Sequence, residues 1–147
     1  MSGDSNIQVV RTDSAPAPVG AYPHARRVGN LLFLSGVGPR RPGDHAIPGN
    51  AYEADGSLAA YDFEAQCRQV FANVRAVLEA SGAAWSDLVD VTVFLTDMAK
   101  DFAVYNRLYA EYFAGIDACR TTLGITALPT PIAIELKCIA ALPRGAD

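Results

Sequence analysis

The stretch DFEAQCRQVFANVRAVLEASGAAWSDLVDVTVFLTDMAKDFAVYNRLYAEYF, residues 62–113, decides the fold class. Its first part places Phe63, Cys67, Val70, Phe71, Val74, Val77 and Leu78 at the i, i+4, i+7, i+8 spacing of one helix face. Asp62 stands where an N-cap belongs, and Gly82 where a helix closes. Glu64, Arg68, Arg75 and Glu79 fall on the opposite face, so the stripe reads as a packing surface rather than a ligand groove. Residues 88–96 (LVDVTVFLT) are β-branched and bounded by Asp, which predicts a strand. A second helix is expected over 101–113, with Phe102, Tyr105, Leu108, Tyr109, Tyr112 and Phe113 at helical spacing.

Outward from this unit, residues 6–11 (NIQVVR) read as a short strand and 15–20 (APAPVG) as an extended linker. Residues 22–28 and 31–34 read as a hairpin about the Gly29-Asn30 turn. The polar, Gly- and Pro-bearing stretch 37–60 is expected to be a long loop, and loops of that length are usually functional or mobile. Two more strands are expected at 120–126 and 132–141, separated by LPTP. No internal repeat or low-complexity segment occurs. The order predicts an α+β fold: a single mixed β-sheet with two helices packed on one face. The uncovered face must be buried against something, and the apolar last two strands point to a subunit interface. Residues 1–147 read as a single domain, with 1–5 and 143–147 as flexible tails.

Composition narrows the function classes. The chain has 147 residues, 50% hydrophobic and 19% charged, with 12 Lys+Arg against 16 Asp+Glu and a net charge of −4. That apolar share supports a core without disulfide or metal staples. The acidic balance argues against binding that neutralises phosphates, so no nucleic-acid partner is expected. No apolar run approaches the roughly 18 residues of a membrane span. Residues 1–13 carry neither a basic nor an apolar leader region, so no signal peptide is expected. Cys67, Cys119 and Cys138 show no CxxC spacing and read as small buried hydrophobes in a reducing, cytoplasmic compartment. The only histidines, His24 and His45, have no Cys or carboxylate at zinc-site spacing, so no metal is expected. Dinucleotide, P-loop and hydrolase-elbow motifs are absent, so an enzyme of this sequence would work with side chains and water alone.

The segments APAPVGAYPHARRVGNLLFLSG (15–36), DVTVFLTDMAKDFAVYNRLYAEYF (90–113) and ACRTTLGITALPTPIAIELKCIA (118–140) resemble the reactive-intermediate deaminase family. Its members are the RidA-like or YjgF-type proteins, also known as liver perchloric-acid-soluble "endoribonucleases". The likeness runs from about residue 12 to 142, and its most specific part is an Arg opening one strand with a Glu fifteen positions later, here Arg120 and Glu135. The resemblance implies a chorismate-mutase-like fold, a homotrimer with three inter-subunit clefts, and cofactor-free hydrolysis of enamines and imines to ketones and ammonia. Within the family the chain is similar to the 2-aminomuconate deaminases of aromatic-compound degradation. It shares with them Pro23-His24 with Arg27, Ser35-Gly36 through Arg40-Arg41-Pro42, the longer loop that follows, the helix 101–106 and the strand start Arg120-Thr121-Thr122. Two departures from the wider family are GAYPHA at 20–25 in place of GPYSQA, and Thr122 where a Cys or Ser is usual. Both bear on plain 2-iminobutanoate as substrate and leave the Arg120–Glu135 pair untouched.

Arg120 carries a permanently charged planar fork suited to a carboxylate, such as that of an imino or enamino acid. Its alternative is a solvated or intersubunit ion-paired arginine. Glu135 lies among Ile132, Ile134, Leu136 and Ile139, so it is expected to be partly buried, with a raised pKa. A carboxyl so placed can deprotonate an attacking water and return the proton to the leaving nitrogen. Its alternative is an ion pair with Arg120 or Lys137. The resemblance puts Tyr22 on the cleft wall, and Asn106 matches a family helix position with the alternative of orienting the neighbouring strand. Ser35 ends a strand, where its hydroxyl could face the cleft. Arg40, Arg41 and His24 are candidates for holding the second carboxylate of a six-carbon dicarboxylate, against the alternative of an exposed basic loop. The resulting expectation is a deaminase of small carboxylate-bearing imines or enamines, with 2-aminomuconate favoured. The rivals are general 2-iminobutanoate/2-iminopropanoate deamination, translation-inhibiting ribonuclease action, and a small-metabolite-binding trimer without turnover.

Overall fold

Two aspartates set the helix starts. The Asp62 carboxylate accepts the Ala65 amide (3.1 Å) and opens α1, Phe63–Ala80. The Asp97 carboxylate accepts the Lys100 amide (3.1 Å) and opens α2, Met98–Phe113. The second helix therefore begins three residues before the expected 101, and Asp101 is buried in its first turn, accepting the Tyr61 hydroxyl at 2.6 Å. The α1 stripe is buried as the spacing requires, while Glu64 and Arg68 pair across one helical turn at 2.9 Å. Arg107 and Glu111 of α2 join that surface pair.

The computed structural model describes residues 7–143. Of the tails expected at 1–5 and 143–147, residues 1–5 and 144–147 lie outside the described residues, as does Asn6 of the first strand. In chain order the strands are β1 (Ile7–Val10), β2 (Ala25–Val28), β3 (Leu31–Leu34), β4 (Ala51–Tyr52), β5 (Leu58–Ala60), β6 (Leu88–Leu95), β7 (Cys119–Gly124) and β8 (Ile134–Ala141). A six-stranded sheet runs β1-β2-β3-β8-β6-β7. Its pairs are antiparallel except β6 with β7, and that parallel pair is the one joined by a helical crossover, α2. The sheet is mixed and both helices lie on one of its faces, as the α+β expectation has it. No helix among the described residues is long and apolar enough to cross a membrane.

Several boundaries differ from the sequence reading for local reasons. The strand expected from 22 starts at Ala25, since Pro23 has no amide to give a ladder. The strand expected from 132 starts at Ile134, because the Ile132 amide closes a turn onto Thr130 O and the Ala133 amide goes to Gln66. The stretch 37–60 is not one long loop. Val37 exchanges both backbone hydrogen bonds with Leu136, and β4 and β5 form a small hairpin. Cys67 and Cys138 are buried, but Cys119 is exposed, because it opens the edge strand β7 on the side away from the helices.

Strand alternation divides the sheet into two unlike faces. Leu32, Leu34, Val91, Val93, Leu95, Ile134, Leu136, Cys138 and Ala140 are fully buried beneath the helices. The opposite face presents Ile7, Val9, Val28, Leu31, Phe33 and Leu123, all exposed in the single chain. An apolar surface of this extent is characteristic of a protein interface.

Gly49 and Gly56 both adopt positive φ, +76° and +88°. A Cβ at Gly56 meets nothing within 4 Å, whereas one at Gly49 comes within 2.4 Å of the Asp62 Cβ, the N-cap of α1. Gly56→Ala is expected to cost about 1–2 kcal/mol through backbone strain alone. Gly49→Ala adds an overpacking cost of about 1–3 kcal/mol, read as the difference between the two variants in urea unfolding.

Candidate active site

Glu135 sits on the uncovered face of β8, in register with Phe94 of β6. It is half-buried, and desolvation raises its carboxyl pKa above the ordinary glutamate value. Neither alternative ion pair forms among the described residues. Lys137, on the same strand face, turns its Nζ to the Leu34 carbonyl, and burial lowers its pKa. The carboxylate lies directly over Gly36, where an added Cβ would stand 2.8 Å from Oε2 and 3.0 Å from Cδ. Any side chain at 36 would have to displace Glu135. This close approach is a requirement the sequence reading missed, although Gly36 stood in the Ser35-Gly36 motif.

Around the carboxyl is a hollow of about 190 Å³, walled by Tyr22, Gly36, Gly38 and Arg40 on one side and by Pro129, Thr130 and Ile132 on the other. The Tyr22 hydroxyl accepts the Val19 amide at 3.2 Å, which holds its ring at the rim. Ser35 does not offer its hydroxyl to this hollow. Its Oγ donates to Pro23 O at 2.7 Å and braces the Tyr22–His24 segment from behind. His24 braces the same segment. Its Nε2 donates to Pro16 O (2.9 Å), since a carbonyl can only accept, and its Nδ1 accepts the Thr12 amide (3.3 Å). Both ring nitrogens are thus committed, and neither is left to grip a second carboxylate. Arg41 is exposed on a turn whose backbone pairs with Ala46 and His45. Of the three residues considered for that grip, Arg40 alone lines the hollow. Its Nη2 donates to Ala17 O (2.7 Å), and its Nη1 lies 3.1 Å from His45 Nδ1.

Arg120 stands elsewhere. On β7 it is in register with Val91, so it emerges on the helix side of the sheet, whereas Glu135 emerges on the opposite side. Asn106 of α2 accepts its Nη1 at 2.9 Å. The guanidinium carbon lies 4.8 Å from the Tyr109 ring centre, 5.4 Å from Tyr105 and 6.0 Å from Phe102. Such contacts are worth about 0.5–1 kcal/mol each at exposed sites and hold the fork in place. The Tyr109 hydroxyl is buried next to it with no hydrogen-bond partner among the described residues, and burial raises its pKa. One chain therefore carries two separate clusters: a held cation with Asn106, and a desolvated carboxyl with Tyr22 and Arg40. The sheet separates them.

Residues 12–142 match the family described as Endoribonuclease L-PSP. Reactive Intermediate Deaminase A, chloroplastic, of Arabidopsis thaliana is 38% identical over 135 residues, covering 92% of this chain and 66% of that protein. The crystal structure of RidA from the Antarctic bacterium Psychrobacter sp. superposes with a TM-score of 0.79 at 32% identity, covering 92% of this chain and 99% of that one. The structure of E. coli TdcF with bound serine gives a TM-score of 0.78 at 29% identity over 92% and 99% of the two chains.

A carboxyl held above its ordinary pKa binds its proton more readily in the folded chain than in the unfolded one. Ionisation therefore lowers stability as pH rises from the ordinary glutamate range through the folded value, and the loss persists above it. Glu135→Gln keeps the shape and drops the charge. It is expected to raise Tm at neutral pH, with the gain vanishing below the ordinary glutamate range; an equal or lower Tm at neutral pH would contradict the desolvation.

Proposed function

Because the chain belongs to the endoribonuclease L-PSP family, which takes in the RidA and YjgF proteins, we propose that it is a hydrolytic deaminase of small carboxylate-bearing imines and enamines, with 2-aminomuconate as the favoured substrate. The observation that carries this reading is the Glu135 carboxyl, desolvated and without an ion pair among the described residues, fitted over Gly36 at the wall of a hollow. A structural glutamate gains nothing from such a place. An acid–base group does, because a pKa moved toward neutrality lets one carboxyl both take and give a proton.

In this reading Arg120 receives the substrate carboxylate as a bidentate pair, held ready by Asn106 and the three aromatic rings. An enamine first tautomerises to the imine, a solvent proton adding to carbon as an N–H proton is released to solvent. The Glu135 carboxylate then removes a proton from a water whose oxygen bonds to the C=N carbon, while the π pair moves to nitrogen, which takes up a proton from solvent. The resulting carbinolamine collapses: Glu135 returns its proton to nitrogen, the C–N bond breaks, and the hydroxyl proton leaves as C=O forms. The products are a ketone and ammonia. These substrates are labile already, so positioning and one acid–base group supply the acceleration.

The separation of the two clusters calls for a second copy. A homotrimer, in which the edge strand β7 of one protomer approaches the uncovered face of the next, would bring Arg120 to the neighbour's Glu135 and cover the exposed apolar side chains together. The second carboxylate of a dicarboxylate falls to Arg40, the arginine that lines the hollow.

Ammonia release from freshly generated 2-aminomuconate and 2-iminobutanoate tests the reading. The acid limb of kcat/KM is expected above the ordinary glutamate range and to be lost in Glu135→Gln. Arg120→Ala is expected to lower kcat/KM by about two orders of magnitude or more, as for loss of a hydrogen-bonded charge pair, while the assembly survives. Arg40→Ala should impair the dicarboxylate far more than 2-iminobutanoate, and Arg41→Ala neither. Cleavage of RNA without ammonia release, or binding of both imines without turnover, would overturn the proposal.

A further inference from the structure

Two amides interrupt the apolar face of α1. Gln66 and Asn73 are 0% and 1% exposed, and their seven-residue spacing sets them two turns apart on the same side. Buried amides are costly unless bonded, and these are bonded to loops. The Asn73 Nδ2 donates to the carbonyls of Gly38 and Arg40, at 2.8 Å each, while its Oδ1 accepts from Gln69 (3.0 Å). The Gln66 Oε1 accepts the Ala133 amide (2.8 Å), and its Nε2 donates to Asn50 Oδ1 (2.8 Å). Asn50 extends the chain of bonds, its Nδ2 donating to Pro131 O at 2.9 Å.

These partners are the two walls of the Glu135 hollow. Gly38 and Arg40 form one wall, and Pro131 and Ala133 flank or fall within the segment 129–132 that forms the other. Neither segment lies within a named strand; backbone bonds of Val37 with Leu136 and of Thr96 with Ala133 hold their ends, and the buried amides grip them from behind. We propose that Gln66 and Asn73 are positioning residues: from one rigid helix they hold the two walls at the spacing that keeps water off the Glu135 carboxyl and seats the reacting C=N bond against it. This rests on the reading of Glu135 given above. The titratable groups that face Glu135 are Tyr22 and Arg40 from the wall and Lys137 on its own strand, joined in the proposed assembly by Arg120 of the neighbouring protomer, and the facing position on β6 is Phe94. Neither clamp adds a charge there, so loosening a wall acts through solvation.

The test uses the full chain in its native assembly with the near-isosteric variants Asn73→Leu and Gln66→Met. Val70→Ala serves as a control, since Val70 is buried on the same helix and its loss destabilises the core by leaving a cavity. Two readouts are taken: the Glu135 titration midpoint by carbon-13 NMR of the labelled carboxyl, and kcat and KM for 2-iminobutanoate. Both clamp variants are expected to lower the midpoint toward the ordinary glutamate range and to reduce kcat about tenfold or more, with a smaller change in KM. Val70→Ala should leave midpoint and kcat at the wild-type values. Asn50→Ala, outside the core, should shift the midpoint the same way by less, and it serves if a clamp variant fails to fold. Unchanged midpoints in the folded variants, or an equal shift in Val70→Ala, would overturn the proposal. Absence of wild-type turnover would overturn the deaminase reading instead, and the midpoints alone would then decide the clamp.

Discussion

A carboxyl kept half out of water with no ion pair among the described residues is the constraint around which the rest of this chain is arranged. Glu135 needs Gly36 beneath it, because even a methyl group there would occupy the space of Oε2. It needs Lys137 turned away, which the Leu34 carbonyl accomplishes. It also needs walls that exclude solvent, and the one charged wall residue, Arg40, makes its hydrogen bonds to Ala17 O and His45. Desolvation raises its carboxyl pKa, so admitting water to the group would bring it back toward the ordinary glutamate value.

The cation is treated in the opposite way. Arg120 is exposed, and its surroundings hold it in place without neutralising it: one amide oxygen and a set of aromatic faces, with no carboxylate paired to it among the described residues. A guanidinium already paired to a protein carboxylate would have to surrender that partner to bind another. Ring faces and an amide orient the fork and leave its charge available. The division of the sheet into a helix-covered side and an apolar uncovered side then places the two groups where a single chain cannot unite them. The same uncovered face that presents the exposed apolar side chains also carries the carboxyl.

Much of this was legible along the chain. The i, i+4, i+7 stripe from Phe63 to Leu78 and the Asp62 cap follow from local physics, and they occur as expected. The same holds for the strand at 88–95. Errors arose where a long-range bond redirects the backbone. Ile134 opens β8 because Gln66, 67 residues earlier, claims the Ala133 amide. The stretch 37–60 looked like a loop because its order comes from Leu136, from Asn73 and from a hairpin too short to show alternation. Gln66 and Asn73 did leave a signal, as amides two turns apart within an apolar stripe, but nothing local says what they grip. Among the candidate site residues, Tyr22, Arg40 and Glu135 meet at one hollow, and Arg120 meets Asn106. Ser35 and His24 turn out to be braces, since their polar atoms are spent on the backbone.

The amino-acid order by itself determined which segments are helical or extended, which side chains seek the core, and which residues have chemistry to offer. Those properties depend on neighbours within a few positions. Only the tertiary structure decided that Arg120 and Glu135 emerge on opposite sides of one sheet, that Arg40 rather than Arg41 or His24 reaches the hollow, and that Glu135 stands over a bare Cα. Each of these depends on strand register and on bonds between residues tens of positions apart. Register assigns a side chain to one face or the other in steps of a single residue, and no local preference measures that step.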